Sequence, residues 1–169
     1  MEAIVYTSNT GTTKEYAKLL SDKLSLPYYS LDEIKNKVKP GGKIIYLGWI
    51  MASGVKGYKK AIKDYDVFAV GAVGMGATGT QVKEVRTKNK IPSSKPVFTL
   101  QGGFDVKKLH GIYKLMMTIM VKTAGKGLAN KQDRTQEEDQ MLEMMLHGGK
   151  YVDEKNLKAI LDWYGKRGE

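Results

Sequence analysis

Residues 6–18 read YTSNTGTTKEYAK. The stretch follows the short apolar run Ala3-Ile4-Val5 and leads into a segment with Tyr16, Ala17, Leu20 and Leu24 at helical spacing. Ala3 to Thr7 therefore reads as a buried strand and Thr13 to Leu24 as a helix. The junction between them is made of hydroxyls, one amide and one glycine, with no charge before Lys14. A helix start leaves backbone N–H groups without partners and carries a partial positive charge, which together favour an anion. An N-cap needs only one Ser, Thr or Asn. Ser8, Asn9, Thr10, Thr12 and Thr13 around Gly11 exceed that need, and a phosphate group would use the hydroxyls as donors while Gly11 lets the backbone come close.

The same alternation continues along the chain. Pro27 to Leu31 is a second strand, after which Asp32 suits the cap of a brief helix. "KIIYLG" (43–48) is nearly all apolar, as in a strand covered on both faces. After it come a loop "WIMASG", a helix from about Val55 to Lys63, and a fourth strand "YDVFAVGAVG" (65–74). A glycine-rich loop and a basic helical stretch lead to Pro92, and "KPVFTL" (95–100) is the fifth strand. Helices follow at about 106–122 and 154–164. Five strands alternating with helices predict an α/β, doubly wound parallel sheet with helices on both faces, in a single domain spanning 1–169. Thr123 to Tyr151 is surplus to that alternation. It reads as an insertion before the C-terminal helix, with a short helix around Met141 to Leu146.

In sheets of this type ligands bind beyond the carboxyl ends of the strands. "TSNTGTT" resembles the phosphate-binding loop of flavodoxins, a Ser/Thr-x-Thr-Gly-x-Thr pattern between the first strand and first helix. The resemblance extends to the loops "GWIMASG" and "VGAVGMGATG". "LQGGFDVKKLHGIYKLMMTIM" is further similar to the flavodoxin-domain group that includes menaquinone-dependent protoporphyrinogen oxidase, which carries a long insertion after strand five. The resemblance implies FMN as cofactor, its 5′-phosphate on Ser8, Asn9, Thr10, Gly11, Thr12 and Thr13. Its isoalloxazine ring would lie between Trp49, Ile50, Met51, Ala52, Ser53 and Gly54 on one side and Gly74, Met75 and Gly76 on the other. The sequence departs from the family pattern at Thr12, where flavodoxins usually carry Asn, and at Ala52, where an aromatic residue is common. Trp49 has two readings: stacking on the ring, or packing beneath the loop.

Gly74 to Gly79 formally matches G-x-G-x-x-G, but it follows the fourth strand, and no acid closes the next strand where a ribose contact belongs. A loop lining the flavin is the better reading. The function implied is electron transfer or two-electron oxidoreduction with a redox partner protein, or a quinone-like or porphyrinogen substrate; an enzyme needs a pocket over the flavin, and the insertion around Ala124 to Gly149 is the segment expected to supply its wall.

Composition sets outer bounds. With 41% hydrophobic and 27% charged residues the chain has the make-up of a globular protein. Absence of cysteine excludes disulfides, thiolate nucleophiles and cysteine-ligated clusters, and two histidines make a histidine-rich metal site a poor reading. No apolar run approaches a membrane span and no leader pattern opens the sequence, so a cytoplasmic location is expected. The net charge is +10, and Lys35 to Lys63 holds eight lysines and no acid. Flavodoxins are typically acidic, so this face also suits an alternative: a non-redox anion-binding module recruiting an acidic partner. No RNP, homeodomain or finger pattern points to nucleic acid. The stripe Leu109, Ile112, Tyr113, Met116, Met117 and Met120 is what a helix covering strand five would show. Leu115, Ile119 and Val121 widen it, and a quinone, a membrane interface or a dimer partner would suit the excess. His110 reads as exposed or capping.

Overall fold

A computed structural model describes residues 1–104 and 111–167; for Phe104, Ile112, Tyr113, Met117, Ala124 and Glu137 it describes the backbone alone. Four parallel ladders join strands β1 (Ala3–Thr7), β2 (Tyr28–Ser30), β3 (Lys43–Met51), β5 (Asp66–Gly74) and β6 (Val97–Gln101), while β4 (Gly54–Val55) pairs antiparallel with β3. The order β2-β1-β3-β5-β6 is that of a flavodoxin-like doubly wound sheet. Its strand order reverses between β1 and β3, so connections leave in opposite directions there and open a crevice.

Alternate residues of a strand point to opposite faces. Ile44 and Tyr46 enter one core with Ala3, Val5, Ile34, Tyr58, Ala61 and Val85. Ile45 and Leu47 enter the other with Ile4, Tyr16, Leu20, Leu100, Leu157 and Ile160. The first face is covered by α2 (Tyr58–Asp64), α3 (Val82–Asn89) and the segment after β2, the second by α1 (Thr12–Leu24) and α6 (Lys158–Gly165). Each fully buried Ile or Leu contributes about 1.5–3 kcal/mol of transfer free energy, which is why the uninterrupted apolar run of β3 lies at the centre of the sheet.

Four local expectations are corrected. "WIMASG" is not a loop: β3 runs on to Met51, turns at Ala52-Ser53 and returns as β4, because Ile50 pairs with Val55 and Met51 with Gly54. The helix after it therefore starts at Tyr58 and not at Val55. Asp32 caps nothing; the turn at Ile34–Asn36 follows Glu33, and Asp32 instead pairs with Lys60 at 2.7 Å. The methionine-rich helix α4 (Gly111–Ala129) packs against α5 (Gln136–His147), and the cover beside β6 comes from α6, whose Trp163 ring lies 6.0 Å from Phe98. Leu109 and His110 lie outside the described residues.

The insertion is thus broader than Thr123 to Tyr151, because "AGKG" continues α4. It is a helical hairpin, α4 and α5, entered and left through the two-stranded ribbon of β7 (Gly103–Phe104) and β8 (Gly149–Lys150). Tyr16 anchors its root: the phenol donates to the Gln101 carbonyl at 2.5 Å and accepts from Asn156 Nδ2 at 2.7 Å. Burial raises the pKa of that phenol above its ordinary value and keeps it a neutral donor.

Candidate functional site

The strand register aligns the site before any ligand is considered. Thr7 of β1 stands opposite Gly48 of β3, and Trp49 opposite Val73 of β5. The residues immediately beyond, Ser8 onward, Trp49 onward and Gly74 onward, therefore emerge side by side at the carboxyl edge of the sheet. Between them is a cavity of about 280 Å³. Asn9, Thr10, Thr12 and Thr13 form its floor at the start of α1; Trp49, Ile50, Met51, Ala52 and Ser53 form the hairpin wall; Gly74, Met75 and Gly76 face them. Ser8 and Gly11 line an adjoining pocket with Lys14 and Asp32 on the β2 side. Gly54 lies in β4 and faces neither. Trp49, with Lys56 Nζ 5.7 Å from its ring centroid, borders the cavity and is not sealed beneath the hairpin.

The start of α1 has the electrostatics of an anion site. Its N-cap is Gly11 in the left-handed region (φ 98°), and no side chain caps the helix. Glu15 N–H donates to the Gly11 carbonyl at 3.0 Å, so helical bonding begins only there. Gly11 N–H is taken by Ser8 Oγ at 3.2 Å, which closes the loop on itself. Thr13 is completely buried, yet its Oγ1 has no hydrogen-bond partner among the described residues, and neither has the buried Asn9 Nδ2. Two orphaned donors beside an uncapped helix terminus cost desolvation energy unless something accepts from them. These are the donor types and backbone geometry a phosphate requires, so the residues present fit one.

The hairpin wall is held from behind. Ala52 (φ 47°) and Ser53 (φ 60°) occupy left-handed conformations of a two-residue turn that favours Asn-Gly. The buried Asn89 of α3 stabilises it: Oδ1 accepts from Val55 N–H at 2.9 Å, while Nδ2 donates to the Ser53 carbonyl at 2.9 Å and the Val85 carbonyl at 2.7 Å. Sequence reasoning missed Asn89, because Asn near a helix end reads as an ordinary C-terminal signal. We expect Asn89→Leu to lower stability by roughly 1–3 kcal/mol through the unpaired Val55 N–H. It should weaken any ligand seated on the hairpin by about tenfold, the effect of 1.4 kcal/mol of lost preorganisation. For flavins, fluorescence titration should give equal losses for FMN and riboflavin; a loss confined to FMN would show that the hairpin does not form the ring wall.

The Gly74–Gly79 loop is also fixed. Gly102 N–H donates to the Gly74 carbonyl at 2.8 Å, Gln101 N–H to Thr78 Oγ1 at 2.9 Å and Thr99 Oγ1 to the Thr80 carbonyl at 2.6 Å. The loop is thereby stapled to β6, and α3 begins only at Val82. Beneath the crevice Tyr46 shares a 2.7 Å hydrogen bond with Thr7 Oγ1 and donates to the Lys56 carbonyl at 2.7 Å. Burial pushes its pKa far above the ordinary value, so it remains an uncharged phenol.

Met120 of α4, Met141 of α5, Gln81 and Gly103 complete the cavity; Met141 falls in the segment expected to wall the pocket, whereas Met120, Gln81 and Gly103 were not foreseen. Met120 was assigned to a core stripe; only the helical hairpin brings it and Met141 over the crevice. Compared with known proteins, the chain matches no family model, no curated protein and no solved structure. What the site does must be argued from its own residues.

Proposed function

We propose that this protein is an FMN-binding flavoprotein, and that it catalyses two-electron oxidoreduction of a flat, largely apolar substrate of quinone or porphyrinogen type. The observation that carries the reading is Thr13, fully buried at the uncapped start of α1 with a hydroxyl that has no partner among the described residues, at the point where the strand order reverses. FMN supplies one- and two-electron chemistry that no side chain here can. The chain's own contribution is binding and exclusion. Thr10, Thr13 and Asn9 donate to phosphate oxygens, and the α1 amides and dipole balance the charge without a lysine. Trp49, Ile50 and Met51 offer a flat apolar wall, while the stapled Met75-Gly76 segment supplies backbone groups on the facing side. Met120 and Met141 line the cavity's outer side, which favours a substrate pocket over the open ring edge that suffices for a carrier.

The visible spectrum of the purified protein after incubation with FMN and removal of free flavin is the first test. Retained bands near ~370 and ~450 nm are expected of bound flavin. A colourless protein would overturn the reading and leave the anion-binding alternative. That alternative has less behind it, because part of the lysine-rich run is engaged internally: Lys60 with Asp32, and Lys43 over the Phe68 ring at 5.3 Å. With flavin retained, steady-state turnover of menadione against a chemical reductant separates the enzyme from a carrier that needs a partner reductase.

A further inference from the structure

Among the described residues the outward side of α4 is left without a partner, and its chemistry is one-sided. Leu115 and Ile119 lie one turn apart, and each exposes more than half of its surface (60% and 54%), with Met116 beside them at 45%. Continuing the same stripe at helical spacing are Lys122 and Lys126, both exposed, with Lys114 flanking the apolar end. None of these three lysines has an ion pair among the described residues. From Val106 to Gln132 the sequence holds six lysines and no acid. The carboxylates of α5 whose side chains are described are turned to other uses: Glu138 binds Lys131 at 2.6 Å, Asp139 binds Arg134 at 2.6 Å, and Glu143 lies 3.9 Å from His147. Contiguous exposed apolar side chains on a folded surface normally mark an interaction.

We infer that this face of α4 docks on a bilayer surface bearing anionic headgroups, with Leu115, Met116 and Ile119 in the acyl boundary and Lys114, Lys122 and Lys126 among the headgroups. Charge decides between the candidate occupants. A second copy packed about a two-fold axis would bring the same unpaired lysines together around a small apolar centre. An acidic protein would match the lysines but has no reason to meet three bare apolar side chains. An anionic membrane meets both, since lysine stems lie along the apolar layer while their ammonium groups reach the phosphates. Each lysine near such a surface raises partitioning by about fivefold, so three give on the order of 10². Among the described residues no helix is long and apolar enough to cross a membrane, so the contact is peripheral. The inference is independent of the flavin reading, because none of these side chains lines the cavity.

The test is co-sedimentation of the full chain with vesicles of phosphatidylcholine alone or mixed with phosphatidylglycerol. We expect at least tenfold stronger partitioning to the mixed vesicles, weakened by added salt. Leu115→Gln with Ile119→Gln should lower it by at least tenfold without changing the melting temperature, and Lys122→Glu with Lys126→Glu should do the same. Lys59→Glu with Lys63→Glu, an equal charge change on α2, should leave binding within about threefold. The inference is overturned if the α2 pair weakens binding as much as the α4 pair, if the glutamine pair binds like the wild type, or if neither vesicle binds. It is equally overturned if sedimentation velocity finds a dimer that the glutamine pair dissolves, because the face would then belong to a second copy.

Discussion

Thr10→Ala combined with Thr13→Val should weaken FMN binding by roughly two to four orders of magnitude and leave riboflavin within about threefold. Each hydroxyl is assigned one charge-assisted hydrogen bond to phosphate, worth roughly 1.5–3 kcal/mol, and 1.4 kcal/mol is a factor of ten. Riboflavin lacks the phosphate and should not register the loss. The apoprotein provides an opposite sign. Because Thr13 Oγ1 is buried without a partner among the described residues, exchanging it for a methyl group removes an unsatisfied donor and not an interaction. Thr13→Val alone should therefore raise the melting temperature of the flavin-free protein by a few degrees, as about 1 kcal/mol does in a domain of this size. Calorimetry of the apoprotein and paired flavin titrations decide the matter. Equal losses for FMN and riboflavin would remove the phosphate from this loop, and a destabilised apoprotein would mean that the hydroxyl has a partner after all.

Gly57→Ala should cost roughly 2–5 kcal/mol of stability, a sum of about 1–2 for a non-glycine residue in the left-handed region and about 1–3 for overpacking. Gly57 has φ 81°, and a Cβ there would run into Tyr46 Oη and Thr7 Oγ1. Those two atoms form the hydrogen bond beneath the crevice, and Tyr46 is fully buried, so its ring cannot step aside. Gly41→Ala is the matched control: φ is 80°, but nothing lies within 4 Å of the added carbon. It should cost about 1–2 kcal/mol, the backbone part alone. Denaturant unfolding of both variants isolates the steric part as their difference. Similar costs for the two would show that the packing of Tyr46 against Thr7 yields easily, and that the crevice floor is softer than its geometry implies.

The strands and their roles were legible because a strand buried on both faces must be apolar throughout, and "KIIYLG" and "VFAVGAVG" have no other reading. The polar junction at Ser8 to Thr13 was legible for the opposite reason: five small donors around a glycine have no use inside a core or in a single cap. The hairpin at Trp49–Val55 was not. Ala-Ser lacks the glycine or asparagine that announces a two-residue turn, and the residue that holds it, Asn89, is far away in the chain.

The methionine-rich helix shows the limit most clearly. Its periodicity fixed it as a helix, since apolar spacing is a local property of the chain. Which neighbour it would meet is not local. Met120 shares its stripe with residues expected against strand five, yet the ribbon at Gly103–Phe104 and Gly149–Lys150 carries the whole hairpin out of that layer. α6 takes the place beside β6, leaving Met120 over the crevice and Leu115 and Ile119 uncovered. The sequence by itself determined the sheet, its helices and the polar junction at the start of α1, because strand burial, helix period and helix-end chemistry are written in adjacent residues. The tertiary structure alone decided Met120's place in the cavity's outer wall, the clamp on the hairpin and the bare face of α4. Those depend on contacts between segments far apart in the chain, whose separation no local pattern records.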